Sequence, residues 1–453
     1  MNIGRAAIAV AAAIAAVAFA ACSSASRQSA GEGAFVPAAG SGGLLPDSGS
    51  GAGKIFHVVI IYQENRSFDN LFQGYPHADT VSSGKNSFGE TIRLQPVSLA
   101  TQYVLDHSMH AMIRECRGTG KLPGTSCRMD GFNLDSNWGG PKNPEYVYVP
   151  HSDSKPYFDM AHEWVLADHM HQSHLDESFV SHQYIIAAQA HGSVDLPYGD
   201  WGCEGGDQDV VQTVTQQRTY GKTQPTCFDY TTLGDELDQA RRSWRFYTST
   251  VFRDGGEWSG YQAVRHIRYG PDWKKDLITP QKRFISDVGK GILANVTWIT
   301  PICANSDHVN CGGGFGPSWV TSLVNAVGRS RFWNNTAIFV TWDDWGGLYD
   351  HEPPEHLDYD GLGFRVPLLV ISPFAKHDYV SHVHYETGSI LKFAEDVFGL
   401  GRLAAADARS NSPALDCFDF MQRPRPFVPI VAPKGPNFFL YQQPDDPRPP
   451  DYE

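Results

Sequence analysis

Basic residues are scarce in this chain of 453 amino acids. It contains 36 Lys and Arg against 50 Asp and Glu, a formal net charge of −14, and it has no long run of Lys or Arg. An acidic surface repels the phosphate backbone of DNA and RNA. General nucleic-acid binding is therefore excluded as the expected function.

Charged residues as a whole are also few, at 19%, whereas aromatic residues make up 12% of the chain. Disordered proteins show the reverse, because they lack the aromatic residues that build a core. The length allows one large α/β domain or two to three smaller ones. Histidine is frequent, with 18 copies, several of them clustered.

The first 21 residues are predicted to be an export signal. Arg5 precedes an apolar stretch that lacks the anchoring flanks of a membrane span, which needs roughly 20 apolar residues. The following Phe19-Ala20-Ala21-Cys22 resembles the lipoprotein box of bacteria, in which the cysteine becomes lipidated; ordinary cleavage that leaves Cys22 unmodified is the alternative. Residues 22–53 are rich in Ser, Gly and Ala and predict a flexible tether. We expect an exported protein, either a lipoprotein of the cell envelope (periplasmic or on the outer surface) anchored through Cys22, or a secreted one.

The cysteines show no C-x-x-C spacing, which argues against a cysteine-bound metal. Without Cys22, three neighbouring pairs fall within single loops, and disulfides in an oxidising compartment are their expected use. These pairs are Cys116 with Cys127, Cys203 with Cys227, and Cys303 with Cys311. Cys417 is then left unpaired.

Short apolar runs alternate with helical patterns, which predicts an α/β fold with a mostly parallel sheet covered on both faces. The predicted strands are Ile55–Tyr62, Trp164–Ala167, Trp244–Thr248, Val296–Thr300, Ala337–Trp342 and Val366–Ile371, and the predicted helices are Phe179–Ala190, Trp319–Val327 and Gly388–Phe398. Long polar insertions at 73–160, 191–235 and 250–290 are expected to form the rim of a site. We assign residues 54–421 to one domain and the Pro-rich residues 422–453 to an extended strap or loose tail.

Polar residues follow two of the predicted strands directly. Glu64 and Asn65 come after the first strand, and Asp343 and Asp344 come after Ala337–Trp342. In open α/β sheets, the ligand crevice lies beyond the carboxyl ends of the strands. Three carboxylates and an amide that meet there would hold one divalent cation, which would be Mg²⁺, Ca²⁺, Mn²⁺ or Zn²⁺. The alternative is that Asp343-Asp344 starts a turn and Glu64-Asn65 caps a helix.

Ser178 stands at the start of a predicted helix, after a polar loop. A serine at that position is by default an N-cap. However, a helix N-terminus also offers free N–H groups to an anion, and a hydroxyl beside a metal can be deprotonated to attack phosphorus. Ser178 is therefore a candidate nucleophile.

Taken together, these motifs resemble the bacterial phosphoesterase family of acid phosphatases and phospholipases C. The resemblance is carried by Glu64-Asn65-Arg66-Ser67-Phe68-Asp69, Ser178 with His182-Gln183-Tyr184, Trp342-Asp343-Asp344-Trp345-Gly346-Gly347, and the sequence Asp307-His308. It implies an alkaline-phosphatase-like three-layer sandwich, with a central mostly parallel sheet and long loop insertions.

The resemblance also implies roles for individual residues. Glu64, Asn65, Asp343, Asp344 and Ser178 would bind one divalent metal, with Ser178 as the nucleophile that forms a phosphoserine intermediate. Histidines of the family hold phosphoryl oxygens or serve the leaving group. These roles map to His266 and His308, and a further one to His107 or His110. For His107, His110 and His308 the alternative is an ordinary surface or loop histidine.

The expected activity is hydrolysis of a phosphate ester, either a monoester or a phospholipid. Phospholipase C branches often carry Thr as the nucleophile, so Ser178 favours the acid phosphatase branch, although short members are also named phospholipase C. A non-catalytic surface lipoprotein that binds an anionic or glycan ligand is the alternative from another class. The sequence leaves the oligomeric state open.

Overall fold

The computed structural model describes residues 49–205, 208–250 and 258–443. The predicted export signal, Cys22 and nearly all of the tether at 22–53 lie outside the described residues. Residues 46–453 group as one compact unit. Within the described ranges, no helix has both the length and the apolar character needed to cross a membrane.

The strands of the described residues are numbered here in chain order. They are β1 His57–Gln63, β2 Ser83–Lys85, β3 Thr91–Arg93, β4 Gln95–Pro96, β5 Tyr103–Leu105, β6 Asn137–Gly139, β7 Val147–Tyr148, β8 Val165–His171, β9 Ser193–Val194, β10 Val210–Thr213, β11 Gln224–Pro225, β12 Trp244–Tyr247, β13 Leu277–Ile278, β14 Val296–Ile299, β15 Thr336–Trp342, β16 Arg365–Ile371, β17 Tyr379–Ser381 and β18 Tyr385–Glu386.

The α-helices are numbered in the same way. They are α1 Phe68–Phe72, α2 Met109–Cys116, α3 His151–Glu163, α4 Ser178–Ala187, α5 Leu233–Gln239, α6 Arg265–Arg268, α7 Asp272–Lys275, α8 Arg283–Gly289, α9 Gly316–Gly328, α10 Thr387–Phe398, α11 Ala405–Arg409 and α12 Pro436–Tyr441.

One large sheet organises the molecule, in the order β13-β12-β14-β1-β15-β16-β8-β17, with β18 also paired to β8. Strand β1 runs parallel to both neighbours, so that Val58 lies between Val296 and Ala337. Only β16 runs against its neighbours β15 and β8. All six predicted strands are members of this sheet, and the prediction of a mostly parallel sheet is confirmed.

Helices cover both faces of the sheet. In β15, Phe339 packs on Phe393 of α10, with ring centroids 4.9 Å apart, whereas Trp342 packs on Tyr157 of α3 at 5.1 Å. Odd and even positions of a strand point to opposite faces, so α10 and α3 lie on opposite sides. Strand β15 is accordingly buried at every position. The three layers confirm the predicted α/β class.

The three predicted disulfides are all present, as Cys116–Cys127, Cys203–Cys227 and Cys303–Cys311. Cys417 is buried and has a free thiol. Burial raises the pKa of this thiol to about 12, so it stays protonated and unreactive at neutral pH.

Residues 422–443 run along the outside of the α3 and α9 layer. Phe427 packs on Trp333 with centroids 4.9 Å apart, and it stacks on Trp164 at 5.8 Å. The amide of Asn325 donates to Ile430 O at 2.8 Å and accepts from Ile430 N at 3.0 Å. The segment is therefore held by both apolar and polar contacts. The boundary placed at residue 421 stays a prediction.

Candidate active site

Two strand ends meet at one edge of the sheet. Gln63, the last residue of β1, pairs with Trp342, the last residue of β15, so the two chains leave the sheet side by side. The next residues are Glu64 and Asn65 on one strand and Asp343 and Asp344 on the other, and all four are fully buried. The parallel register thus places three carboxylates and one amide together, as the sequence predicts.

The hydroxyl of Ser178 lies among these carboxylates. Its Oγ is 2.5 Å from Asp343 Oδ2, 3.2 Å from Glu64 Oε2 and 3.3 Å from Asp344 Oδ2. Ser178 is the first residue of α4, and no side chain caps this helix. The free N–H groups and the positive end of the helix dipole are therefore available to an anion at the serine.

The first turn of α4 is tied to the same two strand ends. Ser181 donates its hydroxyl to the backbone oxygen of Asp343 at 2.9 Å and also contacts the hydroxyl of Tyr62. His182 Nε2 lies 2.9 Å from Glu64 Oε1. Because His182 is four residues after Ser178, both project from one face of the helix. These contacts fix the position of the Ser178 hydroxyl relative to the carboxylates.

Asn65 adopts a conformation that few residues tolerate. Its φ angle is +44°, in the left-handed region that Asn enters more readily than most side chains. This turn lets its backbone N–H donate to Asp343 Oδ1 at 2.7 Å. Gly346, at φ +64°, packs against it so closely that an added Cβ would lie 2.8 Å from the Asn65 Cβ. Any side chain at position 346 would clash with Asn65, so this position requires glycine.

The Asn65 side chain provides a test of whether a cation fits. Its Nδ2 lies 3.0 and 3.1 Å from the two carboxylate oxygens of Asp344 and 2.9 Å from His107 Nε2. Its buried Oδ1 has no hydrogen-bond partner among the described residues. An oxygen-rich cluster with an unsatisfied amide oxygen fits the donor set of a divalent cation. Glu64, His182 and Asp343 also offer ligand atoms within 4.8 Å of one another.

His107 and His308 are both brought to this site, with their ring centroids 6.2 Å apart. His107 donates from Nδ1 to Leu105 O at 2.9 Å, which leaves Nε2 as an acceptor beside Asn65. In His308, Nδ1 accepts the backbone N–H of Asn310 at 3.1 Å, which leaves the proton on Nε2. The two imidazoles therefore present an acceptor and a donor, respectively.

The loop that carries His308 is anchored from several sides. Gln63 Oε1 accepts the backbone N–H of Asp307 at 3.1 Å, and the Asp307 carboxylate accepts from Tyr157 at 2.7 Å and Trp342 at 3.1 Å. Burial raises the pKa of Asp307 to about 6, although these hydrogen bonds oppose the shift. The Cys303–Cys311 disulfide closes the loop around His308. His308 is thus a buried, fixed group.

The structure does not place His266 and His110 against this cluster. Both ring nitrogens of His266 contact surface carboxylates, Nδ1 with Asp229 at 2.6 Å and Nε2 with Asp235 at 2.9 Å. His110 is exposed and packs on the ring of Tyr220, with centroids 4.3 Å apart. Of the four candidate histidines, only His107 and His308 are therefore joined to the Ser178 site by the contacts described.

Sequence reasoning missed the role of Gln63, and it quoted His182 in the motif with Ser178 without giving it an individual role. Gln63 is the last residue of β1 and links that strand to the His308 loop, a contact with no sequence pattern. His182 could have been recognised, because its four-residue spacing from Ser178 predicts that it shares a helix face with the candidate nucleophile.

A cavity of about 550 Å³ lies beside the start of α4 and reaches Glu177, the residue before Ser178. Its wall includes the carboxylates of Asp106 and Asp195. Trp138 and Tyr198 also line it and are 82% and 73% exposed. The cavity therefore combines acidic groups with exposed aromatic rings beside Glu177.

Known phospholipases C are similar to this chain. The hemolytic phospholipase C of Pseudomonas aeruginosa is 23% identical over 402 residues, 76% of this chain and 53% of that protein. Phospholipase C A of Mycobacterium tuberculosis is 24% identical over 403 residues, 76% of this chain and 73% of that protein. The non-specific phospholipase C6 of Arabidopsis thaliana is 25% identical over 437 residues, covering 83% and 74%. The chain thus spans about half the length of the Pseudomonas protein.

Solved structures with similarity to the chain include a protein of the alkaline phosphatase superfamily from Vibrio parahaemolyticus. It is 10% identical, covers 82% of this chain and 71% of its own, and has a TM-score of 0.37. The fold class rests on the strand order described above. The model of the Phosphoesterase family matches residues 55–401, which include the whole Ser178 cluster, and the chain therefore belongs to this family.

Proposed function

We propose that the chain is a metal-dependent hydrolase that transfers the phosphoryl group of its substrate to Ser178. One observation carries the proposal: the Ser178 hydroxyl lies within 3.3 Å of carboxylates from two strand ends, at the start of a buried helix. A hydroxyl that only capped a helix would contact backbone N–H groups instead. Five side chains that converge in this way also argue against a binding protein without catalysis.

The residues present fit one divalent metal ion. Its ligands would be Glu64, Asn65, Asp343, Asp344 and the Ser178 hydroxyl, all of which can offer oxygen. Oxygen ligands favour Mg²⁺, Ca²⁺ or Mn²⁺, and Zn²⁺ also accepts carboxylates. When bound, such an ion would lower the pKa of the serine hydroxyl and neutralise charge on the phosphoryl oxygens.

The chain itself supplies the remaining steps. Ser178 donates its proton to Asp343 Oδ2, 2.5 Å away, as its oxygen attacks phosphorus. The N–H groups of the first turn of α4 stabilise the phosphoryl oxygens. His308 donates a hydrogen bond from Nε2 and so stabilises the negative charge that develops on the leaving oxygen, which takes its proton from solvent. A water then attacks the phosphoserine and releases a proton to solvent, while Asp343 returns its proton to Ser178 Oγ.

The substrate is a phosphate ester, and the cavity beside Glu177 favours a phospholipid head group over a small monoester. Trp138 and Tyr198 are aromatic side chains exposed at the cavity wall, and such residues are enriched where one end of a side chain meets lipid and the other meets water. By contrast, Ser178 in place of Thr favours the acid phosphatase branch and therefore a monoester. Assays with a monoester, a choline phospholipid and an inositol phospholipid separate these substrates.

We also propose that the chain is exported and anchored in the membrane through lipidated Cys22. Three disulfides support an oxidising compartment outside the cytosol. In the Cys22→Ser variant, the protein should move from the membrane fraction to the soluble fraction. An unchanged distribution would refute the anchor.

The nucleophile is tested by Ser178→Ala. We expect kcat for p-nitrophenyl phosphate or a phospholipid to fall by at least about 10³-fold, because no other hydroxyl occupies this position. Ser154→Ala is a matched control, since Ser154 is also a fully buried serine of a helix, but among the described residues its hydroxyl is hydrogen-bonded only to Pro150 O. Full activity in folded Ser178→Ala would end the assignment.

The metal is tested by chelation. EDTA should abolish turnover, readdition of a divalent ion should restore it, and Asp343→Asn should mimic the chelated state. A protein that is free of metal by elemental analysis and still fully active would refute the metal requirement.

A further inference from the structure

A second group of metal-ligand side chains lies at the carboxyl end of β8, next to the edge strand β17 of the central sheet. His169 and His171 are two residues apart on β8 and therefore share one face of the strand. His384, in the turn between β17 and β18, reaches the same face. Glu352, in the loop between β15 and β16, reaches it as well. We call His169, His171, Glu352 and His384 the edge cluster.

The members of the edge cluster contact one another. The rings of His169 and His384 stack with centroids 4.9 Å apart, and those of His171 and His384 are parallel at 6.2 Å. His169 Nδ1 lies 2.6 Å from Glu352 Oε1. One ligand atom each from His169, Glu352 and His384 lies within 4.8 Å of the other two. Small side-chain rotations would bring them to the separation in a tetrahedral site, roughly 3.4 Å for bonds of about 2.1 Å.

His171 provides an independent indication of a ligand. Its side chain is fully buried, and Nδ1 donates to Gly363 O at 3.1 Å. This hydrogen bond leaves the lone pair on Nε2, and Nε2 has no hydrogen-bond partner among the described residues. Metal-binding histidines have this arrangement, in which one ring nitrogen donates to a carbonyl and the other is free to coordinate.

We propose that the edge cluster is a second metal site, with Zn²⁺ or a similar borderline ion as its ligand. Three imidazoles and one carboxylate suit such an ion, whereas the oxygen ligands around Ser178 favour harder cations. The His384 side chain is 46% exposed, which provides an entry path, and His169 is 15% exposed. Four protein ligands would close the coordination shell, so the site would be structural and not catalytic.

The site would join three segments that are distant in sequence. Strand β8 leads through residues 172–177 to Ser178, and the other two segments carry Glu352 and His384. Arg365 contacts the Glu352 carboxylate with Nη1 at 3.1 Å from Oε2 and would orient it for binding. Binding displaces the proton shared by His169 Nδ1 and Glu352 Oε1, and this proton is released to solvent.

The test measures zinc bound by the full chain after chelation and dialysis against Zn²⁺, with elemental analysis of the wild type and single variants. We expect His384→Ala to lose about one Zn²⁺ per chain. Ser178→Ala should retain that ion. His377→Ala is the matched control, because His377 is another exposed histidine close in sequence, and its contacts among the described residues are with Glu163 and the ring of His162, not with the edge cluster.

Two readouts separate metal binding from simple misfolding. Added Zn²⁺ should raise the Tm of the wild type by more than that of His384→Ala, because only the wild type keeps the edge cluster complete, and it should still raise the Tm of Ser178→Ala. Co²⁺ should give the visible absorption of a four-coordinate site in the wild type and Ser178→Ala only. Equal zinc content in the wild type and folded His384→Ala would overturn the proposal. It does not rest on the proposed phosphoryl transfer, and either can fail alone.

Discussion

The protonation of individual histidines decides what the Ser178 site can do. His107 presents an acceptor, because its Nδ1 proton is used by Leu105 O, whereas His308 presents a donor, because its Nδ1 accepts from Asn310. Negative charge develops on the leaving oxygen, so of the two imidazoles only His308 can stabilise it by donating a hydrogen bond. His107 instead orients Asn65 beside Asp344.

This difference predicts unequal effects of histidine substitutions. His308→Ala should lower kcat by about 10²- to 10³-fold, because the developing charge on the leaving oxygen then loses its hydrogen-bond donor. His266→Ala is the comparison, and its effect should be about twofold or less, since its exposed ion pairs contribute little. Steady-state kinetics of both variants checks the prediction. Equal losses in the two variants would contradict the placement of these histidines.

Much of the candidate site could be predicted at the residue scale. Glu64, Asn65, Asp343 and Asp344 each follow a strongly apolar strand, and strand ends of a parallel sheet share one edge. The position of His266 could not be predicted in this way, because it lies on a short helix after an irregular insertion, where nothing in the pattern reveals its pairing with Asp229 and Asp235.

At the element scale, helices α10 and α11 meet through a pair of buried carboxyl groups. Glu395 of α10 and Asp407 of α11 are both fully buried. Burial and the neighbouring Asp407 carboxylate raise the pKa of Glu395 to about 9. Arg402, whose Nη1 donates to Glu395 Oε2 at 2.8 Å, lowers this pKa but only in part offsets the rise. Glu395 is therefore protonated in the folded protein at neutral pH.

This shift predicts a pH-dependent effect of Glu395→Gln. The folded pKa is raised above the unfolded value of 4.5, so the stability contributed by Glu395 is complete below about 4.5 and is lost as pH rises toward about 9. The variant lacks this loss. The free energy of unfolding of the variant minus that of the wild type should therefore increase between about pH 4.5 and pH 9, by at most about 1.4 kcal/mol per pH unit.

Urea unfolding at several pH values measures this difference. Arg402→Gln serves as a control, because it removes the neighbouring cation and retains the carboxyl pair. A constant difference between Glu395→Gln and the wild type at all pH values would show that Glu395 is not protonated in the folded state.

The elements that the sequence predicts are those with long buried runs. Strand β15 is buried at every residue, and such runs are typical of strands covered on both faces. Strands β13 and β18 are two residues long and leave no detectable pattern. Most of helix α3 lies within the predicted insertion at 73–160, because its polar sequence and internal Pro156 hide the helical periodicity.

At the scale of the whole molecule, residues 422–443 connect the outer helical layer to the active-site loop. Gln442 Oε1 accepts from Asn305 Nδ2 at 2.9 Å, and Asn305 O accepts from Gln63 Nε2 at 3.1 Å. Asn305 belongs to the loop closed by the Cys303–Cys311 disulfide, which carries His308. This segment is therefore part of the support of the site.

A chain that ends at Met421 should consequently be less stable. Deletion exposes the partners of Phe427, Ile430 and Phe439, and each buried side chain contributes roughly 1.5–3 kcal/mol, so the loss should be about 5 kcal/mol or more. Removing only residues 444–453 is the control. Equal free energies of unfolding for the truncated and full chains would show that residue 421 ends the independently stable domain.

The central claim is that Ser178 takes on the phosphoryl group of the substrate. The most direct measurement is acid quenching of the metal-loaded enzyme during turnover of p-nitrophenyl phosphate, followed by peptide mass spectrometry. We expect a phosphate on Ser178 in the wild type and none in Ser178→Ala. A phosphate on a different residue, or an active enzyme that never carries one under rapid quenching, would contradict it.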